Sequence, residues 1–316
     1  MNAIDKRIQA LKQLQPDLTA QPDLEQFWEK VDREAGSEVR YTREEIKSPF
    51  PNAPVYKIIY DGAANTPIHA WFMLPPNASA DEKQPCIVFF HGYTGSKGYP
   101  EDHAAWTMMG YAVLAIDVRG QGGETGNALA QETGMTKGWI TQGILDPETC
   151  YYRAISIDAL RAVRLALQLP EIDERRVFVV GVSQGGGLAL VASAIEPRIR
   201  AAVAHVPNMC HIDYGILYST GSLTEAAEYV TRFPERYEAV LRTLSYFDVM
   251  NLAHRITIPC RVTAGLKDLV CMPETIFAAY NRIASKDKEI EAYPFMGHST
   301  PPGYREAACR FFAGLS

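Results

Sequence analysis

Nowhere does the sequence run to the roughly 20 consecutive apolar residues that a membrane-spanning helix needs, so no such helix and no membrane partner is expected. Basic charge is not in excess either: 31 Lys and Arg stand against 37 Asp and Glu, a formal net charge of −6. Nucleic acid and anionic lipid surfaces are held by basic patches, so neither is an expected partner. The opening residues, MNAIDKRIQALKQLQPDL, form a mixed-charge amphipathic segment without the apolar core and small-residue cleavage site of a secretory leader, and the chain is expected in the cytoplasm. The six cysteines, Cys86, Cys150, Cys210, Cys260, Cys271 and Cys309, include no C-x-x-C pair. Cys210 and His211 are adjacent, and adjacent residues do not readily close one tetrahedral zinc site. No metal is expected, and the cysteines read as buried free thiols. Internal repeats and low-complexity tracts are absent. The Gly-rich run Asp117-Val118-Arg119-Gly120-Gln121-Gly122-Gly123 lacks the G-K-[ST] ending of a phosphate loop, and no G-x-G-x-x-G opens a helix after it.

What is present is 316 residues with 47% hydrophobic content, enough to bury one large core, so 1–316 reads as a single domain. Residues 1–45 read as a helical N-terminal arm broken at Pro16 and Pro22. VYKIIYDG (55–62) and IHAWFML (68–74) alternate in polarity around a turn and predict a hairpin. Strands at 86–92, 111–120, 175–182, 201–207, 260–268 and 288–295 then alternate with helices at 100–110, 150–169, 184–195, 272–283 and 303–315. This rhythm predicts an α/β fold: a mostly parallel central sheet flanked by helices, with antiparallel strands at one edge. Residues 209–250 are helical throughout and interrupt the rhythm, so they read as an insertion over the C-terminal end of the sheet.

The chemistry centres on Gly181-Val182-Ser183-Gln184-Gly185, a G-x-S-x-G run placed between a β run (VFVV) and a small-residue helix. That context predicts a sharp strand-to-helix turn projecting the Ser183 hydroxyl above the sheet, with glycines leaving room for the strained backbone. A serine hydroxyl attacks only with a base to take its proton, and in α/β-hydrolases the acid and then the histidine follow the serine in the chain. The candidates for the base are His205, His211, His254 and His298. His298 sits in a loop between the last strand and the last helix and fits best. His205 lies inside a strand, His211 and His254 flank the insertion, and these read as packed or surface histidines, with His211 near a pocket. Asp268 ends a strand between Ser183 and His298 and is the candidate acid, whereas Asp213 and Asp248 fall in the insertion and read as capping or solvated groups. Two backbone N–H groups should hold the oxyanion: that of Gln184, and one from the loop HGYTGSKG (91–98), for which Tyr93 is nominated. Arg119 reads as a fork that ties loops together, with Gln121 near it.

Several longer runs carry a resemblance: DVRGQG (117–122), KGWITQGILD (137–146), YYR (151–153), GVSQG (181–185), YFDVMNLA (246–253), GLKD (265–268) and FAAYN (277–281). Together they resemble the acetyl xylan esterase/cephalosporin C deacetylase family, carbohydrate esterase family 7, along nearly the whole chain. The resemblance implies an α/β-hydrolase that deacetylates short acetylated xylo-oligosaccharides and cephalosporin C without metal or organic cofactor. It also implies a homo-hexamer whose active sites face an inner cavity. Residue by residue it carries over Ser183, Asp268 and His298 as the triad, and the Tyr93 and Gln184 amides as the oxyanion hole. Two departures stand out. Ser299 follows the histidine where the family has glutamate, and HVPNMCHIDYGI (205–216) differs from the usual run beside the pocket.

Overall fold

The computed structural model describes residues 1–79 and 81–315. Two helices open the chain, α1 (Ala3–Lys12) and α2 (Leu24–Ala35). In α1 the Asn2 side chain accepts from the Asp5 amide at 2.8 Å, a cap at the first turn. In α2 the buried residues Leu24, Phe27, Trp28, Val31 and Ala35 recur at helical spacing and form one apolar stripe. Next come β1 (Tyr41–Glu45), β2 (Val55–Asp61), β3 (Pro67–Met73), β4 (Gln84–Phe90), α3 (Pro100–Met108), β5 (Ala112–Ile116), α4 (Tyr151–Gln168), β6 (Ile172–Val182), α5 (Gln184–Ile195) and β7 (Ala201–His205). Four helices follow without a strand, α6 (Ile212–Tyr218), α7 (Thr224–Arg232), α8 (Tyr237–Ser245) and α9 (Val249–Leu252). The chain closes with β8 (Cys260–Gly265), α10 (Pro273–Tyr280), β9 (Lys288–Tyr293) and α11 (Tyr304–Ala313).

The strands form one sheet in the order β1-β2-β3-β5-β4-β6-β7-β8-β9. From β5 to β9 every pairing is parallel, and β1, β2 and β3 pair antiparallel at one edge. The expected helical arm is corrected here: 41–45 is a strand, paired with β2 from Tyr41↔Tyr60 to Glu45↔Tyr56. Its last three residues, Arg43-Glu44-Glu45, favour helix locally, but an edge strand tolerates charges, and pairing overrides the propensity. Arg43 of this strand bonds Glu171 at 2.6 Å and lies 3.6 Å from the centre of the Tyr56 ring.

Along β4, Cys86, Val88 and Phe90 enter one core and Ile87 the other, so the parallel strands are buried on both faces. The larger core lies under α4 and α5. The smaller gathers Trp106 of α3 with Ala308, Cys309 and Phe312 of α11. The six cysteines are all buried and free. The order of strands decides where a site can form. From β4 the chain goes out to β5 on one side and returns to β6 on the other. A crevice therefore opens beyond the carboxyl ends of β4 and β6, and the loops leaving these adjacent strands meet there.

Candidate active site

Ser183 sits where β6 passes into α5, with φ 56° and ψ −118°. A left-handed φ costs a non-glycine residue on the order of 1–3 kcal/mol and survives only where the surroundings fix it. Here they do. The Ser183 amide donates to the His205 carbonyl at 2.9 Å, and its own carbonyl accepts from Asn208 and Gly187 at 2.9 and 3.0 Å. The flanking glycines are steric necessities. A Cβ on Gly181 would lie 1.9 Å from the Gly185 carbonyl oxygen, and one on Gly185 would lie 2.0 Å from that of Phe90.

His298, in the loop between β9 and α11, places Nε2 at 3.0 Å from Ser183 Oγ. Its Nδ1 lies 2.8 Å from Asp268 Oδ2. Asp268 follows β8 and is 2% exposed, and its Oδ1 accepts from the Val270 and Cys271 amides at 2.8 and 3.0 Å. An ionised carboxylate only accepts, so Nδ1 carries the imidazole proton and Nε2 is left to accept from the serine hydroxyl. The order serine, acid, histidine along the chain thus closes into one hydrogen-bonded line.

The loop after β4 passes beside the serine: a Cβ on Gly92 would sit 3.5 Å from that of Ser183. Among the described residues, neither the Tyr93 nor the Gln184 amide donates to another protein group. Gln121 ties the two halves together. Its Oε1 accepts from the Thr94 amide at 2.9 Å, and its Nε2 lies 2.8 Å from Gln184 Oε1 and 3.0 Å from the Tyr151 hydroxyl. The Tyr93 hydroxyl donates to Glu225 at 2.6 Å and accepts from the Trp139 amide at 3.0 Å, so its ring is fixed against the insertion. Burial raises the Glu225 carboxyl, the bond from Tyr93 opposes that, and burial beside Glu225 keeps the phenol neutral.

The remaining sequence candidates fall elsewhere. Arg119 is fully buried and grips Asp158 through two nitrogens at 2.6 and 2.7 Å, with a third bond of 2.8 Å to the Ala63 carbonyl. His205 points its ring to the other side of the sheet, with Nδ1 3.2 Å from Thr263 Oγ1. His211 caps α6 in a left-handed conformation with Nε2 3.4 Å from Asp213, and His254 is an exposed neighbour of Glu25. Asp248 caps α9 and also accepts the His211 and Ile212 amides at 2.8 and 2.7 Å. Ser299 is exposed, and its amide donates to the Gly297 carbonyl at 3.0 Å. One neighbour of the serine was missed by the motifs: Cys271 Sγ lies 3.9 Å from Ser183 Oγ. A cysteine three residues after the candidate acid was the available signal. Among the described residues no cluster of three or more His, Cys, Asp or Glu could hold a metal, and no helix is long and apolar enough to cross a membrane.

Over residues 1–315 the chain matches the family described as acetyl xylan esterase (AXE1). The acetyl xylan esterase from Paenibacillus sp. R4 is 37% identical, with 97% of this chain and 99% of that one covered and a TM-score of 0.92. Acetyl xylan esterase 1 from Thermoanaerobacterium sp. JW/SL YS485 is 32% identical, with 98% of each chain covered and a TM-score of 0.91. A curated relative, acetyl esterase Axe7A of Xylanibacter ruminicola, is 34% identical over 164 residues. That match takes in 52% of this chain and 36% of the relative, so it spans little more than a third of that protein's length.

Proposed function

The chain belongs to the acetyl xylan esterase family and has its α/β-hydrolase fold and carboxylic-ester hydrolase class; from that premise we propose that it removes acetyl groups from small acetylated carbohydrates through Ser183, His298 and Asp268. The observation that carries the reading is the continuous line from Ser183 Oγ through His298 to Asp268, at 3.0 and 2.8 Å, on a backbone turn that presents the hydroxyl.

Ser183 Oγ attacks the acetyl carbonyl as its proton passes to His298 Nε2. Asp268 keeps Nδ1 protonated and stabilises the imidazolium without taking the proton. The Tyr93 and Gln184 amides receive the oxyanion, each donor contributing ~3–4 kcal/mol by the usual cost of removing one. His298 then protonates the departing alcohol oxygen. In the second half, water attacks the acetyl carbon as its proton passes to the same nitrogen, and the imidazolium then returns that proton to Ser183 Oγ as acetate leaves, so the serine is regenerated. No step calls on a metal or an organic cofactor. Short xylo-oligosaccharides and cephalosporin C are the substrates that the family resemblance suggests. A homo-hexamer with inward-facing sites belongs to the same reading, as does a cytoplasmic location, which six free buried thiols suit. Particles about six times the 35.1 kDa chain mass in sedimentation would bear out the assembly, and a monomer would overturn it.

The experiment is acetate release from acetylated xylo-oligosaccharides and cephalosporin C, with p-nitrophenyl acetate and butyrate alongside and Ser183→Ala as control. Serine-dependent release from the sugar, with butyrate poorly used, is the expected result. Serine-dependent turnover of aryl esters alone would move the substrate to a broader class of small esters. Equal turnover by Ser183→Ala would overturn the mechanism.

A further inference from the structure

One short segment of the helical insertion reaches three loops of the site. Ser219 Oγ donates to the Val270 carbonyl at 2.7 Å, and the Thr220 amide donates to the Leu269 carbonyl at 2.9 Å, both on the loop that carries Asp268. The Ser222 hydroxyl accepts from Asn208 Nδ2 at 3.1 Å, and the Asn208 amide donates to the Ser183 carbonyl at 2.9 Å. Three residues further on, in the first turn of α7, Glu225 accepts the Tyr93 hydroxyl at 2.6 Å. Residues 219–225 therefore arch from the acid loop, past the nucleophile turn, to the loop of the oxyanion hole.

A carboxylate at the end of this arch needs a reason. Glu225 is 7% exposed, and burial raises its carboxyl. Among the described residues no cation pairs with it, and Lys137 Nζ goes instead to Glu228 at 3.8 Å. A buried charge without a cation is tolerated only where donors converge on it. Here they are the Tyr93 hydroxyl and the Ile140 amide, which favours the charged form. The chain is also moulded to the carboxylate: Gly138 has φ 67°, and a Cβ there would lie 1.9 Å from Glu225 Oε2. The bond from Tyr93 is charge-assisted, the stronger kind. The phenol oxygen accepts from the Trp139 amide at 3.0 Å, and the two rings meet edge-on with centres 5.2 Å apart. The peptide that carries the Tyr93 amide is braced inside its own loop, because the Gly92 carbonyl takes His91 Nδ1 at 2.7 Å and the Gly95 amide at 3.0 Å. Those bonds shape the loop. Its orientation toward Ser183 depends on anchors from outside it, and these are Gln121 on the Thr94 amide and Glu225 on the phenol.

We propose that Glu225 is a positioning residue for the oxyanion hole: by holding the Tyr93 phenol it aims the Tyr93 amide at the oxygen that becomes charged above Ser183. The insertion thereby takes part in turnover and does more than cover the site. Its arch is bolted to the acid loop and to the nucleophile turn, so the distance between the oxyanion donor and the triad is set through one continuous run of bonds. The proposal rests on the ester reading, since it needs an oxyanion to form.

The test is a double-mutant cycle in the full chain, with Tyr93→Phe, Glu225→Ala and the pair, on p-nitrophenyl acetate. Tyr93→Phe removes one oxygen and keeps both ring and amide, so its kcat decides the matter if Glu225→Ala does not fold. Each single change is expected to lower kcat by ten- to a hundredfold with KM within twofold, as loss of an interaction made in the transition state does. The pair should be no slower than the slower single variant, because both act through one bond. Glu225→Gln keeps an oxygen for the phenol and should recover most of the rate. A trifluoromethyl ketone, whose hemiketal oxyanion takes the same amides, should bind Tyr93→Phe more weakly by the factor that kcat/KM falls. An unchanged kcat in Tyr93→Phe, multiplicative losses in the pair, or a rise in KM alone would each overturn the proposal. Failure of the ester reading looks different: wild type and Ser183→Ala would then turn over the ester equally, and the inference would fall with it.

Discussion

Asp268 has both carboxylate oxygens engaged, one by two backbone amides and the other by His298. Asp268→Asn keeps an oxygen for the amides but turns an NH₂ toward Nδ1. The imidazole must then carry its proton on Nε2, where it cannot accept from Ser183. A loss of about 10⁴-fold in kcat is expected, with KM nearly unchanged and an intact fold, as the cost of the wrong tautomer; a loss under tenfold would remove Asp268 from the mechanism. Gln121 acts one step back, as a positioning residue, through the Thr94 amide and the Gln184 side chain. Gln121→Ala is expected to lower kcat by ten- to a hundredfold, since a donor misplaced by about an ångström loses that much. An unchanged kcat would show that the loop holds itself. The positions of Ser183, His298 and Asp268 were legible because each occupies a loop whose place follows from strand order. Cys271 beside Ser183, and Glu225 beneath Tyr93, were not: those pairs are 88 and 132 residues apart, and neither partner carries a motif that names the other.

The junction of β6 and α5 is where local sequence and global packing meet. Ser183→Ala and Ser183→Gly both abolish the hydroxyl, but only glycine adopts φ 56° without a clash. Ser183→Gly should therefore be the more stable of the two, by about 1 kcal/mol after allowing for glycine's freer unfolded chain. Urea unfolding of both variants measures this. Equal stabilities would mean that the turn stores no strain. Gly185→Ala tests the same junction from the other side. Its Cβ would lie 2.0 Å from the Phe90 carbonyl oxygen in the neighbouring strand, so β4 and α5 must part. A fall in stability of at least ~3 kcal/mol, or failure to fold, is expected from thermal unfolding. The Gly-x-Ser-x-Gly spacing announced this junction in advance because every residue in it is constrained. β1 was illegible for the opposite reason. YTREE has no apolar period, and its strand form exists only through pairing with β2.

At the scale of the whole molecule, stability against acid follows from where the histidines lie. Burial lowers His205 to about 4 and also lowers His91 and His103. An unfolded chain takes up a proton at each near pH 6.5, while the folded chain resists it. The unfolded state then binds more protons, so each histidine contributes stability that is complete above pH 6.5 and is lost as pH falls toward the folded value. For His205 the interval is roughly 2.5 pH units, worth about 3 kcal/mol. Two carboxyls pull the other way: burial raises Asp248 to about 7 and raises Glu225, so each favours the folded state as pH falls toward 4. The net slope mixes these signs, and a comparison of variants separates them. His205→Gln keeps a polar side chain facing Thr263 but cannot titrate. Between pH 6.5 and 4.5 it should lose about 2 kcal/mol less stability than the wild type, whatever its stability at neutral pH. Parallel curves of unfolding free energy against pH would show that the imidazole is already hydrated in the folded protein.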